Sequence, residues 1–339
     1  MTKAARISYW FILITILLVG WLHLATPLLA VLFSYFVLAK LRFTKSRWLA
    51  IWLFVIVIAG IAYGLGHFVN QSVEALPKIV NNAIDSFLKW DWAREQDFQL
   101  PFDDYEGLKA MVMDVDTVKE QAKNLGMFAT FAKAATAQVV FLIVGAVVAA
   151  SIFLKSQLDL DRATHAVKNN LYSLACEEIV IRFQVFYQCF STVMGAQIII
   201  SAINTTLTSI FAIAVGLPYA VLVIGVTFLC GLLPVLGNLI SNAVIVCISF
   251  TVSPQMALAS LIFLVVIHKL EYFLNSKIIG DRIRNPIWLT LLGLILGEKL
   301  MGIPGMILAP VILNYIKVEA AKVEVAASAH DGAPPRLSA

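Results

Sequence analysis

Charge is what this 339-residue chain has least of: 14% of its residues are charged and 60% are hydrophobic. A soluble domain carries about a quarter charged and about half apolar residues, so a water-soluble globule is excluded. Cysteine is scarce too. Cys176, Cys189, Cys230 and Cys247 lack pairing spacing and none falls in the polar stretch 70–133, so no disulfide framework is implied. There is no His-Glu-x-x-His, no Gly-x-Ser-x-Gly and no phosphate loop, which removes the common hydrolase and nucleotide-dependent enzyme classes. The basic loops are short and carry no interleaved aromatic platform, so nucleic acid is not a partner. His268 and Glu271 stand one helical turn apart, but no second histidine–carboxylate pair completes four metal ligands. A local ion pair at a helix end is the plainer reading, and no metal is expected.

What the chain does have is apolar runs, among them Ile7–Leu22, Leu49–Leu65, Ala134–Leu154 and Val193–Val215. A bilayer core of about 30 Å needs about 20 helical residues, so these predict an all-α polytopic membrane protein of about five to eight spans. Lys3 and Arg6 before Ile7–Leu22 imitate a signal peptide, yet a second apolar run and a basic loop follow at once, as in a membrane hairpin. Short basic loops stay cytoplasmic. That places the N-terminus and the loop with Lys40, Arg42, Lys45 and Arg47 inside, and the stretch 70–133, with eleven acids against seven bases, outside. Within it Ser72–Leu88 has apolar residues near helical spacing and predicts an amphipathic helix continuing the third run.

The organisation predicted is therefore membrane segments over 1–69, an external helical insert over 70–133 and a span over 134–154. A cytoplasmic helical segment follows over 155–190, then a transport core over 191–317 and a cytoplasmic tail over 318–339. Inside that core two regions, 218–252 and 286–317, are too long and too broken for one span. The basic loop Lys277–Arg284 belongs inside, so by parity 218–252 must enter and leave on the outer side, as two tilted spans or a re-entrant hairpin; 286–317 starts inside, and Lys317, Lys322 and Arg336 of the tail suit a return to the inside. Two re-entrant hairpins of opposite orientation satisfy this. Their prolines and glycines echo each other: Pro218, Gly225 and Gly237 are spaced as Pro286, Gly293 and Gly305 are. Paired broken segments of this kind are expected around a transporter's binding site.

Unpaired backbone survives in a membrane only where protein or water supplies partners, so the breaks direct attention to Pro234, Gly237 and Asn238, and to Gly302 and Gly305. Glu298, placed with Lys299 at the second turn and facing an aqueous cavity or its neighbour, is the leading functional acid. Asn238 could present its amide to a substrate hydroxyl or a cation. Gln197, Asn204 and Asn242 are polar positions in apolar runs, for which interhelical hydrogen bonding is the plainest role. The tryptophans lie mostly near predicted interfaces, where indoles anchor.

At "LLPVLGNLIS" and "LEYFLNSKIIGDRIRNPIWLTLLGLILGEKLMGIPGMILAPVI" the chain resembles the autoinducer-2 exporter family of membrane transporters, and the likeness in layout covers nearly its whole length. Glu271, Asn275, Gly280, Pro286, Gly297, Gly302, Gly305 and Pro310 match the family pattern; Asn238, Ser276 and Asn285 depart from it. The resemblance implies a passive or ion-coupled transporter of a small polar solute or signalling molecule in the bacterial inner membrane. It implies a homo-oligomer, a pentamer, and one bundle moving against a scaffold. Sodium or lithium exchange for protons at Glu298 or Glu271 is the alternative it leaves open, with no cofactor beyond the coupling ion. A membrane scaffold whose external insert binds a partner is the alternative from another class.

Overall fold

The structure, a computed structural model, describes residues 2–43, 46–88, 125–155, 167, 170–233, 236–278 and 286–323. Among these there are nine helices and no strand. Helix α1 (Lys3–Trp21) starts where the Thr2 side chain accepts the Ala5 amide, an N-cap that satisfies an otherwise orphaned donor. A tight turn containing His23 at φ 54° leads into α2 (Ala25–Lys40). Helix α3 (Arg47–Leu88) runs for 42 residues without a break, so the apolar spacing of Ser72–Leu88 does extend the third run. Then come α4 (Leu125–Leu154) and α5 (Leu171–Ala214), the latter capped by Asn170 on the Ser173 amide. At about 1.5 Å per residue, the 44 residues of α5 make it the longest helix among the described residues. It passes through position 190 without interruption.

The chain finishes with α6 (Ala220–Gly231), α7 (Leu236–Phe250), α8 (Pro254–Ile278) and α9 (Ile287–Ala320). By length and composition, five segments among the described residues are apolar enough to cross a membrane: Lys3–Trp21, Arg47–Ser72, Leu171–Ala214, Pro254–Glu271 and Trp288–Ala320. The last consists of two arms. Gly302 has φ 63° and ψ −150°, far from helical values, and the chain reverses there. Gly297 and Gly305, eight residues apart and so about 12 Å apart in a straight helix, lie backbone to backbone, and Gly293 lies against Leu313. α9 is a helical hairpin.

α6 and α7 form the other hairpin. A Cβ on Gly237 would overlap the Cys230 carbonyl, just as one on Gly305 would overlap that of Gly297. The spacing echo thus has a structural meaning: a proline shortly before the first arm, a glycine within it, and a glycine where the arms cross after the turn.

Three apolar clusters position these parts. One joins α1, α2, α5 and α9 through Ile12, Leu29, Phe190, Met194, Leu308 and Val311. A second joins the far parts of α3 and α5 to α6, α7 and α8 through Ile79, Ala212, Val223, Ile245 and Leu264. The third packs α2, α3 and α4 through Leu38, Ala50, Phe54, Ala149 and Phe153. The outward faces are apolar as well. Every residue from Val55 to His67 of α3 is exposed, as are Trp10, Leu17, Ile143, Leu239 and Ile295. Such a surface suits lipid as solvent, since a helix apolar all round belongs in a membrane.

Candidate functional site

One stripe of α5 serves both hairpins. Phe186, Phe190, Val193 and Met194 face the cluster containing α9, and Gln197, Ser201, Asn204 and Thr208 continue the same three- and four-residue spacing toward α6. The stripe is apolar in its first half and polar in its second. The polar half has a backbone duty. The last carbonyls of a helix have no intrahelical partner, and α6 ends inside the bundle. Gln197 Nε2 donates to the Gly231 carbonyl at 2.6 Å and Ser201 Oγ to that of Phe228 at 2.8 Å. The interhelical role expected of Gln197 is what this geometry provides. Gln197→Leu strands the Gly231 carbonyl and is expected to destabilise the protein by about 1–3 kcal/mol. Thermal unfolding in detergent checks this; an unchanged midpoint would mean water substitutes freely.

Register along α5 relates the hairpin tips. Arg182 bonds Glu319, and Phe186 packs edge-on against Tyr315 with ring centroids 5.5 Å apart, so α5 and the second arm of α9 are antiparallel. Counting equally along both from Arg182 and Glu319 brings Gln197 level with Pro304, beside the Gly302 turn. Gln197 is also level with Gly231, at the other hairpin's tip. The two turns therefore approach the same level of α5 from opposite ends.

Beside the first turn is a polar cavity of about 10 Å³. α5 contributes Asn204 and Thr208, and α6 contributes Thr227. α7 supplies Asn238, Ser241 and Asn242, while α8 supplies His268 and Glu271. Asn238 Nδ2 donates to both Glu271 carboxylate oxygens, each at 2.6 Å. Asn204 is 5% exposed, and its Oδ1 accepts no hydrogen bond in the structure. The cavity adjoins a larger apolar groove of about 570 Å³ between α7 and α8, with which it shares Asn242, Leu264 and His268.

The structure thus brings together Asn204, Asn238, Asn242 and Glu271 from three separate helices, residues chosen from sequence for different reasons. Gly237 is the crossing point of the hairpin that presents Asn238. Asn275 is on α8 one turn beyond Glu271, with its side chain outside the described residues, as Pro234 is altogether. Glu298 requires a correction. It does not sit at the second turn but a helical turn earlier, exposed on the first arm of α9, and it lines neither the cavity nor the groove. The turn forms at Gly302 because only that residue takes the positive φ. Gly305 marks the crossing of the arms rather than the turn itself.

Sequence reasoning missed a buried charge network at the end of the bundle where α1 and α5 begin and α9 finishes. Arg182 Nη1 donates to Glu319 Oε2 at 2.5 Å and Arg182 Nη2 to Glu178 Oε2 at 3.0 Å. Tyr9 Oη donates to Glu319 Oε2 at 2.7 Å, and Lys322 Nζ to Glu319 Oε1 at 2.9 Å. The guanidinium carbon lies 4.4 Å from the Tyr9 ring centroid, a cation–π contact. The Glu178–Arg182 spacing is visible in sequence; its meeting with Glu319 across 137 residues is not.

Comparison with known proteins agrees with this architecture. A family model described as AI-2E family transporter matches residues 1–322. A Bacillus subtilis (strain 168) protein named "Putative transport protein YdbI" is 28% identical over 176 residues, 51% of this chain and 50% of that protein. The chain thus aligns with about half the length of this curated relative.

Proposed function

This chain belongs to the AI-2E transporter family and is a multi-pass membrane transporter, and on that premise we propose that it exports a small polar solute by alternating access across a bacterial inner membrane. In this reading both termini are cytoplasmic and the protein works as a homo-oligomer. The observation that carries it is the approach of two hairpins, from opposite ends, to one level of α5. Interrupted helices leave polar backbone at a depth where lipid offers no partner, so they are tolerated where they line a cavity. A movement of one hairpin against α5 would open the space between the turns to one side at a time. The polar half of the α5 stripe supports this, because Gln197 and Ser201 anchor a helix end at the hairpin tip.

Reconstituted protein in liposomes, loaded with candidate solutes under imposed ion gradients, tests the reading. Asn238→Ala removes the only described donor to Glu271 while leaving the hairpin backbone intact. It is expected to lower flux at least about tenfold, a barrier of about 1.4 kcal/mol, with little change in assembly measured by size-exclusion chromatography. Flux and assembly falling together would return Asn238 to a packing role.

A further inference from the structure

We propose that the groove between α7 and α8 binds one anionic phospholipid, with an acyl chain along its apolar length and the phosphate against Lys269. The inference concerns the surrounding lipid and not the transported solute, so it stands or falls separately from the transport reading above.

Lys269 motivates it. This lysine lies in the apolar segment Pro254–Glu271 of α8 and is exposed. It is fifteen residues past Pro254, about 22 Å along the helix, whereas a bilayer core is about 30 Å thick. Among the described residues it forms no hydrogen bond or ion pair. Glu271 does not neutralise it, because residues two apart on a helix do not face each other, and that carboxylate accepts from Asn238 instead. No acidic side chain lines the groove that Lys269 borders. A cation at such depth is costly and calls for a partner. The chain offers none, so the anion comes from the medium, which on this face is lipid.

The groove has the polarity of an amphiphile. Ser249 meets the Ser260 hydroxyl at 2.6 Å and Asn238 meets Glu271, so α7 and α8 run antiparallel with 249 level with 260 and 238 with 271. In that register Asn242 stands level with His268, and the polar lining, completed by Lys269, collects at the end near the hairpin tip. The other end, from Ala243 to Cys247 beside Leu261 to Val265, presents only apolar side chains and a thiol. Its volume of about 570 Å³ is in the range that holds a ligand of drug-like size. A long lysine side chain can carry its ammonium toward the headgroup level while its stem stays among apolar groups, and basic pockets between spanning helices suit lipid headgroups. On the orientation proposed above, the polar end faces the cytoplasmic leaflet. The groove shares Asn242, Leu264 and His268 with the polar cavity, so a seated lipid braces α7 against α8 beside the Asn238–Glu271 contact.

Thermal unfolding of the full-length protein in detergent tests this, with phosphatidylglycerol, phosphatidylcholine of the same chains, or inorganic phosphate added at constant ionic strength. Phosphatidylglycerol is expected to raise the midpoint saturably, phosphatidylcholine much less and phosphate not at all. Lys269→Gln should raise the half-saturating phosphatidylglycerol concentration at least about fivefold, and Lys269→Arg should restore it. Ala243→Phe, at an exposed position on the groove wall, should weaken binding of both lipids. Equal responses to the two lipids would mean that the groove takes any acyl chain, overturning the phosphate contact. An equal response to inorganic phosphate would make the site an anion site without lipid. Unchanged phosphatidylglycerol affinity in Lys269→Gln or in Ala243→Phe would place the lipid elsewhere. An oligomer that Ala243→Phe breaks apart, seen by light scattering on size-exclusion chromatography, would make a second copy the occupant and overturn the proposal.

Discussion

Replacing Glu319 with alanine is expected to destabilise the folded protein by about 3–5 kcal/mol, the range seen when one partner of a buried ion pair is removed. The Glu319 side chain is 5% exposed and that of Arg182 is 11%. Their pairing joins the last turn of α9 to α5, and the Tyr9 hydroxyl brings in α1. Without Glu319, Arg182 keeps Glu178 at 3.0 Å but loses its buried partner, and Tyr9 loses its acceptor. The pair's net worth is smaller than its removal suggests, because both charges had to leave water. Lys322, nearly half exposed, adds little. The double variant Arg182→Met with Glu319→Leu is therefore expected to recover most of the loss. Equilibrium unfolding in mixed micelles measures both variants. A Glu319→Ala protein as stable as the parent would show that this end of the bundle is wet and its charges solvated.

Gly305→Val is expected to be worse, leaving little or no monodisperse protein. The arms of α9 cross where the backbones of Gly297 and Gly305 touch, and a Cβ on Gly305 would also stand 2.7 Å from the Cβ of Met301. No rotamer relieves an overlap with a carbonyl oxygen, so the arms must separate. Separation dissolves the hairpin's own core of Leu294, Met306 and Ala309. Gly302 differs in kind. Space around it is open, but φ 63° with ψ −150° is a glycine conformation, so Gly302→Ala should cost about 1–3 kcal/mol of strain and still fold. Fluorescence-detected size-exclusion chromatography ranks the two. A normal profile for Gly305→Val would mean that residues 287–320 form a rod, and the opposed-hairpin architecture would fall with it.

The hairpins were legible in the chain because their causes are local. A proline that ends helix continuation and a glycine that removes a Cβ act within a few residues of themselves, and two such sets at matching spacing mark both hairpins. The polar cavity was legible only in pieces. Asn204, Asn238 and Glu271 each stand out against apolar neighbours, but periodicity gives the face a residue occupies, not the helix that face will meet. Glu298 shows the same limit from the other side. Its apolar context suggested an acid at the second turn facing an aqueous cavity or Lys299, yet the turn forms at Gly302 and Glu298 stands exposed on the first arm of α9.

From the sequence alone came the solvent, the helical class and the two places where helices break, all consequences of composition and short-range sterics. The tertiary structure alone decided which polar groups meet. Asn204 with Glu271, and Arg182 with Glu319, are joined by the packing of elements far apart in the chain. Such pairings depend on the summed fit of whole helix faces, which no single stretch encodes.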